Sequence, residues 1–314
     1  MNTAAAGRRA RITAITSGKG GVGKTFLSAN LATALARQGE KVLVLDADLG
    51  LANLDVVLNL FPKITLHDVF TGKHTLDEAV LETSGGFSVL LAGSGMVEYS
   101  RLTPEMRDQL TSVVNDIVPR FDRILLDTGA GISDVVLYTV SLADEVLIVA
   151  TPEPTSLTDA YALIKVLATR HAVDEFLVLV NMARGAADAT ATFGRLARAA
   201  ERFLHVGLEY QGYVPYDDAV GRAVRAQQPV VLGAPGTPAS LAIAGLADRL
   251  LRRPAAAPSS TTCPRSTGCR AACARRRACS RRWRTSSRAA SAVRRRRRRS
   301  PRSWGSRSTP IRSC

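Results

Sequence analysis

Cysteine is absent from the first 250 residues of this 314-residue chain; all five (Cys263, Cys269, Cys273, Cys279 and Cys314) come later. The larger part can therefore hold neither a disulfide framework nor a Cys-ligated cluster. Both tryptophans, Trp283 and Trp304, are equally confined to the end. No apolar run approaches the roughly 18–20 residues that span a bilayer. Arg8-Arg9 is not followed by the apolar stretch of about 7–15 residues that a secretory signal needs, so the chain is expected to be cytoplasmic. Residues 251–314 lack Lys, Asp and Glu and carry 20 Arg, which leaves residues 1–250 with 22 basic and 27 acidic side chains, a net of −5. The overall charge of +15 describes neither part.

The last stretch also lacks the material of a core. After Leu251, the only Leu, Ile, Val, Phe or Met residues are Val293 and Ile311. Such a segment cannot offset its ordering entropy. The Cys spacings there are poor for zinc, and no His stands nearby. Two readings of residues 252–314 stay open. One is a disordered Arg-rich tail able to bind nucleic acid or anionic lipid. The other is a GC-rich gene translated out of frame. The expected organisation is one folded domain over 1–251, large enough for a sizeable core, followed by this tail.

What is present begins with Ser17-Gly18-Lys19-Gly20-Gly21-Val22-Gly23-Lys24-Thr25. It fills every position of G-x-x-x-x-G-K-[ST] and lies between an apolar strand (12–16) and an amphipathic helix (26–38). Such a loop turns backbone N–H groups toward phosphate oxygens, and the next helix adds its positive N-terminal end. Gly18, Gly20, Gly21, Val22, Gly23, Lys24 and Thr25 are the candidate phosphate contacts. Lys24 would reach the terminal phosphates, and the Thr25 hydroxyl would ligate Mg2+.

Further apolar strands are predicted at 42–46, 87–92, 123–127, 145–150, 176–181 and 208–214. Helical periodicity falls at 104–118, 133–142, 156–170, 187–204, 219–226 and 238–251. Continuous apolar strands alternating with helices predict an α/β fold, a mostly parallel central sheet with helices on both faces. Ligands of such sheets bind beyond the carboxyl ends of the strands. Acids stand at those ends. Asp46 and Asp48 follow the second strand, and Asp127 closes Ile124-Leu125-Leu126, followed by Gly129 and Gly131. Asp46 and Asp127 suit Mg2+ handling, Asp48 could orient or deprotonate a water, and the glycines permit a switch on hydrolysis.

The string GKGGVGKT, with its second lysine at Lys19, resembles the deviant Walker loop of the MinD/ParA family of ATPases. The strings at 46–60, 127–133 and 151–167 are similar to the branch of that family that regulates flagellar number. The resemblance covers roughly residues 10–251. It implies a deviant Walker P-loop NTPase with ATP and Mg2+ as cofactors. Lys19 would act in trans on the partner's nucleotide, Asp48 would be the catalytic acid, and Asn53 would sense the nucleotide. Asn181, Pro215 and Asp217 would form the adenine pocket. The helix around Asp159, Ala160 and Tyr161 would lie near dimer or partner contacts. The implied partners are a second copy of the chain, a flagellar master transcription activator and a flagellar GTPase of the signal-recognition type. No N-terminal GTPase-activating motif is evident, which shifts weight to the transcription activator. The complete C-terminal amphipathic membrane helix of relatives is not evident either, so reversible association with the inner face of the membrane stays open. The missing Cys argues against the iron–sulfur members that share the loop. DNA partition and division-site selection remain as rival roles within the family. Nucleic-acid binding through the Arg tail is the rival of another class.

Overall fold

The computed structural model describes residues 9–48, 53–93 and 102–254. Expectations that fall on Leu49–Ala52 or on 255–314 lie outside the described residues.

All six residues of β2 (Val42–Ala47) are buried. Its sequence, VLVLDA, has no polar residue until the strand ends, as a parallel strand covered on both faces requires. β1 (Arg11–Ser17), β5 (Arg123–Ala130), β6 (Glu145–Ala150) and β7 (Glu175–Ala183) share this character. With β3 (Val80–Glu82), β4 (Ser88–Leu90) and β8 (Gly207–Pro215) they form one sheet in the order β3-β4-β2-β5-β1-β6-β7-β8. Only β3 runs antiparallel to its neighbour.

Alternate residues of each strand feed two cores. Ile12, Leu43, Leu45, Ile124, Leu126, Ile148 and Val178 face one side. There they meet α5 (Pro104–Ile117), α6 (Asp134–Ser141), α7 (Pro154–Arg170) and α8 (Ala186–Phe203). Ile15, Val44, Leu125, Leu147 and Leu177 face the other. α1 (Lys24–Ala36), α10 (Val230–Gly233) and α11 (Pro238–Arg252) cover that side. The helix starts are set by local chemistry. Thr103 and Thr237 each accept a backbone N–H as N-cap, with Pro at the first helical position. Asp217 caps α9 (Asp218–Arg225).

The parallel strands fall where the apolar runs predict, with β5 and β7 longer than expected and the strand expected at 87–92 reduced to the three residues of β4. The structure adds β3 and the short helices α2 (Leu54–Leu58), α3 (Leu66–Phe70), α4 (Leu76–Ala79) and α10, none of which is signalled by periodicity. Four or five residues make too little of a turn to show a 3.6-residue pattern. The folded part also runs past the expected boundary at 251. α11 ends at Arg252, and Arg253 is bonded to Glu145 on β6 at 3.1 Å. No described helix is long and apolar enough to cross a membrane.

Candidate nucleotide site

β1, β2 and β5 all end on the same side of the sheet, and β5 lies between the other two. Their ends bring Ser17, Asp46 and Asp127 together, with the glycine loop joining β1 to α1. Asp46 and Asp127 are register partners across β2 and β5.

Two glycines of the loop are fixed by what surrounds them. A side chain on Gly18 would overlap the Asp159 carbonyl and Ala160 nitrogen of α7, so loop and helix meet backbone to backbone. Gly23 has φ +90°, a left-handed conformation that favours glycine, and the Asn181 amide occupies the place a Cβ would take. Asn181 is buried at the end of β7. Its Nδ2 donates to the Val22 carbonyl at 2.7 Å, and its Oδ1 accepts the Met182 N–H at 2.9 Å. Asn181 thus braces the loop, a role beside the adenine contact implied by resemblance. Gly20 and Gly21 stand open, with no neighbour within 4 Å of an added Cβ. Lys24, 9 % exposed, donates to Ser17 Oγ at 3.0 Å. Burial lowers its pKa, against the opposing pull of Asp127 and Asp48.

The carboxylates are held under strain of charge. Asp127 is 2 % exposed, and burial pushes its pKa up to about 6 despite hydrogen bonds from Thr25 and Ser28 and the nearby Lys24. Asp46 is 1 % exposed, and burial, then the charge of Asp127, raises its pKa well above the ordinary carboxylate range. Its Oδ1 accepts the Asp48 N–H at 3.1 Å. Its Oδ2 is buried without a hydrogen-bond partner among the described residues. Asp48 reaches over to β5, where a Cβ on Gly129 would lie 3.3 Å from its carboxylate. Gly131 N–H donates to the Ser17 carbonyl at 2.9 Å, tying the segment after β5 to the loop.

An orphaned carboxylate oxygen, two buried acids of raised pKa and a threonine hydroxyl are hard oxygen donors short of positive charge, which fits Mg2+. Among the described residues no three His, Cys, Asp or Glu side chains converge as a complete cage. Mg2+ keeps waters and takes phosphate oxygens alongside one or two protein ligands. Thr25, Asp46 and Asp127 would hold it.

Lys19 points elsewhere. Its Nζ donates to Glu153 at 2.6 Å and Thr155 at 3.0 Å, at the start of α7, while Ser17 Oγ donates to its carbonyl at 2.7 Å. Its ammonium is thus held at the start of α7 of the same chain. Asn53 is the N-cap residue of α2; Leu49–Ala52 separate it from Asp48. Beside the loop lies a cavity of 580 Å3, lined among others by Gly23, Phe26, Asn181, Met182, Pro215 and Asp217. It has room for a purine base. Both oxygens of Asp217 are already engaged, by Ala219 N–H at 2.8 Å and Ala239 N–H at 3.1 Å. Its side chain therefore pins the starts of α9 and α11 and shapes the cavity wall.

Four contributors escape sequence reasoning: Ser17, Ser28, Glu153 and Thr155. For Ser28 a signal existed, since it stands four residues after Lys24 on the face of α1 that carries Leu31 and Leu35. The others depend on where β1 and β6 end and where α7 begins.

A parallel sheet with this loop after β1 and acids at the ends of β2 and β5 defines a P-loop NTPase. The family profile described as NUBPL iron-transfer P-loop NTPase (ParA) matches residues 8–251. The chain is 45% identical over 240 residues to the antiactivator FleN of Pseudomonas aeruginosa, covering 76% of this chain and 86% of FleN. It is 36% identical over 214 residues to the flagellum site-determining protein YlxH of Helicobacter pylori, covering 68% and 72%. Among solved structures, the septum site-determining protein MinD of Pyrococcus horikoshii, complexed with Mg-ADP, superposes with a TM-score of 0.63 at 29% identity, covering 77% of this chain and 96% of that one. The chain belongs to the ParA/MinD family of P-loop NTPases.

Proposed function

We propose that this chain is a Mg2+- and ATP-dependent dimerisation switch that hydrolyses ATP slowly and sets flagellar number and placement. The observation that carries the reading is the position of Lys19. It is a second loop lysine whose ammonium rests on Glu153 and Thr155 at the start of α7. A cation so placed serves catalysis when a second copy brings its phosphates within reach, as an arginine finger does. Exposed Ile132, Met182 and Tyr216 follow or end β5, β7 and β8 on the loop side, which supports a face-to-face contact there.

The residues divide the work. The loop N–H groups and the α1 N-terminus hold the phosphates of ATP, and Lys24 leaves Ser17 for the terminal phosphate. Asp48 orients the attacking water and accepts its proton. Lys19 of the second copy offsets charge on the leaving phosphate. Mg2+, when bound, neutralises phosphate charge. The segment at Gly129–Gly131, bonded to Ser17, follows the loss of the γ-phosphate and returns the protein to a monomer.

FleN and YlxH are by name an antiactivator and a flagellum site-determining protein. The cargo is therefore a regulatory partner, a flagellar transcription activator first and a flagellar GTPase second. The family profile's iron-transfer description does not extend to residues 8–251, which hold no Cys. The test is to delete the gene and count flagella per cell, scoring minicells and anucleate cells in the same images. Excess, absent or misplaced flagella with normal division and DNA content are expected. Normal flagella with minicells or anucleate cells would overturn the flagellar role and leave the ATP chemistry standing.

A further inference from the structure

Ser28 sits one helical turn beyond Lys24 on α1, fully buried, and its hydroxyl has two acceptors in reach. One is the Lys24 carbonyl at 3.0 Å, the other Asp127 Oδ1 at 2.9 Å. A serine in mid-helix commonly bonds back to the carbonyl four residues earlier, which would make it a bystander. A hydroxyl carries a single proton, however, and two acceptors must compete for it. The carbonyl of Lys24 already belongs to the helix ladder. An ionised carboxylate accepts roughly twice as strongly as a neutral carbonyl. With Asp127 charged, the proton goes to the carboxylate.

Thr25 also donates to Asp127. The two hydroxyls differ in what else they serve. Thr25 stands at the first turn of α1, where its oxygen is a candidate metal ligand. Ser28 lies a turn deeper, closed off from solvent, with the Lys24 carbonyl as its other acceptor.

We infer that Ser28 is a positioning residue for the Mg2+ site: by holding Asp127 Oδ1 it fixes the plane of the carboxylate and leaves the other oxygen turned toward the cation. The inference rests on the reading of Thr25, Asp46 and Asp127 as the Mg2+ site. Such outer partners of metal-site carboxylates typically change metal affinity by about 10–100-fold when removed. Thr25 still donates to Asp127 when Ser28 is removed, so the lower end of that range applies.

The experiment follows the binding of a fluorescent ADP analogue to the full chain. One titration is in EDTA, and a second adds Mg2+ at fixed nucleotide. For Ser28→Ala, the Mg2+ concentration giving half of the cation-induced signal should rise about 10-fold. Affinity for the nucleotide in EDTA should stay within about twofold, because the loop and Lys24 are untouched. Ser28→Cys keeps the volume and weakens the donor, so it should fall between wild type and Ser28→Ala; it carries the test if the alanine variant fails to fold. An unchanged Mg2+ midpoint, or an equal loss in both titrations, overturns the inference. If the wild-type protein itself shows no Mg2+ response, the metal site fails and the inference with it.

Discussion

Buried charge occurs at both ends of the sheet, and the two clusters are built on opposite plans. At the carboxyl ends of β1, β2 and β5, Asp46 and Asp127 share a nearly dry space with Lys24 and with Asp48 close by. Negative charge is in excess, one carboxylate oxygen lacks a partner, and both buried acids titrate high. At the other end, buried Glu145 meets Arg11 at 3.5 Å, Arg123 at 3.9 Å and Arg253 at 3.1 Å. Arg253 also pairs with Glu209, and Arg123 donates to the Leu250 carbonyl at 3.2 Å. Here cations surround the acid. The second cluster supplies its own counter-charge and closes the base of the fold. The first carries more acid than base, which suits a cation.

Removing charge should therefore cost function at one end and stability at the other. The largest effect is expected from Lys24→Ala, which should weaken binding of a fluorescent ATP analogue at least about 100-fold, some 2.7 kcal/mol. Tight binding by that variant would remove the phosphate cradle from the reading. Asp48→Ala should leave nucleotide affinity within a few-fold and cut phosphate release by about 100- to 10,000-fold, the range of a general base. Wild-type turnover would take the catalytic role from Asp48.

Glu145→Gln addresses the opposite cluster. Deleting one partner of a buried ion pair costs about 3–5 kcal/mol, so its urea midpoint should drop sharply while nucleotide affinity holds. A parallel loss of affinity would mean that the two clusters are not independent.

The pH response should separate them further. Asp127 has a folded pKa of about 6 against an ordinary 3.8. The folded form binds the proton more tightly, so this group favours folding below pH 6 and loses that contribution as pH rises through it. Between pH 7.5 and 5.5 the apo protein should gain about 0.8 kcal/mol from Asp127. Asp127→Asn, compared in the same denaturant series, should lack that gain.

The smallest effect concerns Lys19. Its pair with Glu153 is exposed, with side chains 38% and 63% accessible. Pairs of this kind are worth about 0.2–1 kcal/mol. Glu153→Ala should tighten ATP-dependent self-association no more than about fivefold per copy, read by sedimentation. A weaker dimer would instead make Glu153 part of the contact.

The two ends differ also in how legible they are in sequence. The loop at 17–25 and the acids at 46, 48 and 127 are visible because phosphate chemistry demands those residue types at a fixed spacing. The six long strands and seven long helices show for a similar reason, since burial imposes a period. Glu145 carries no such mark. It begins a strand, and only the topology that places β1, β5 and α11 around it makes it a hub. Ser28 is signalled only by its face of α1, and the role of Asp217 at the start of α11 by nothing, since their partners lie 99 and 22 residues away. α3 and α4 stay hidden because each is a single short turn held by the reciprocal pairs of Thr65 with Asp68 and Thr75 with Glu78, and α2 because five residues show no period.

One small contact at the base has a practical side. Arg11, the first residue of β1, donates to the carbonyl of Arg253, just past α11, at 3.0 Å. The start of the first strand and the finish of the last helix are thus stitched to each other. Seven strand residues, about 20 Å of chain, separate that stitch from the phosphate loop. A fluorescent tag or an affinity handle joined at either end would leave the folded part from one spot, remote from the nucleotide face. The same closeness would let the ends be spliced and the chain reopened at an exposed turn, giving a permuted protein in which loop, acids and Lys19 keep their places.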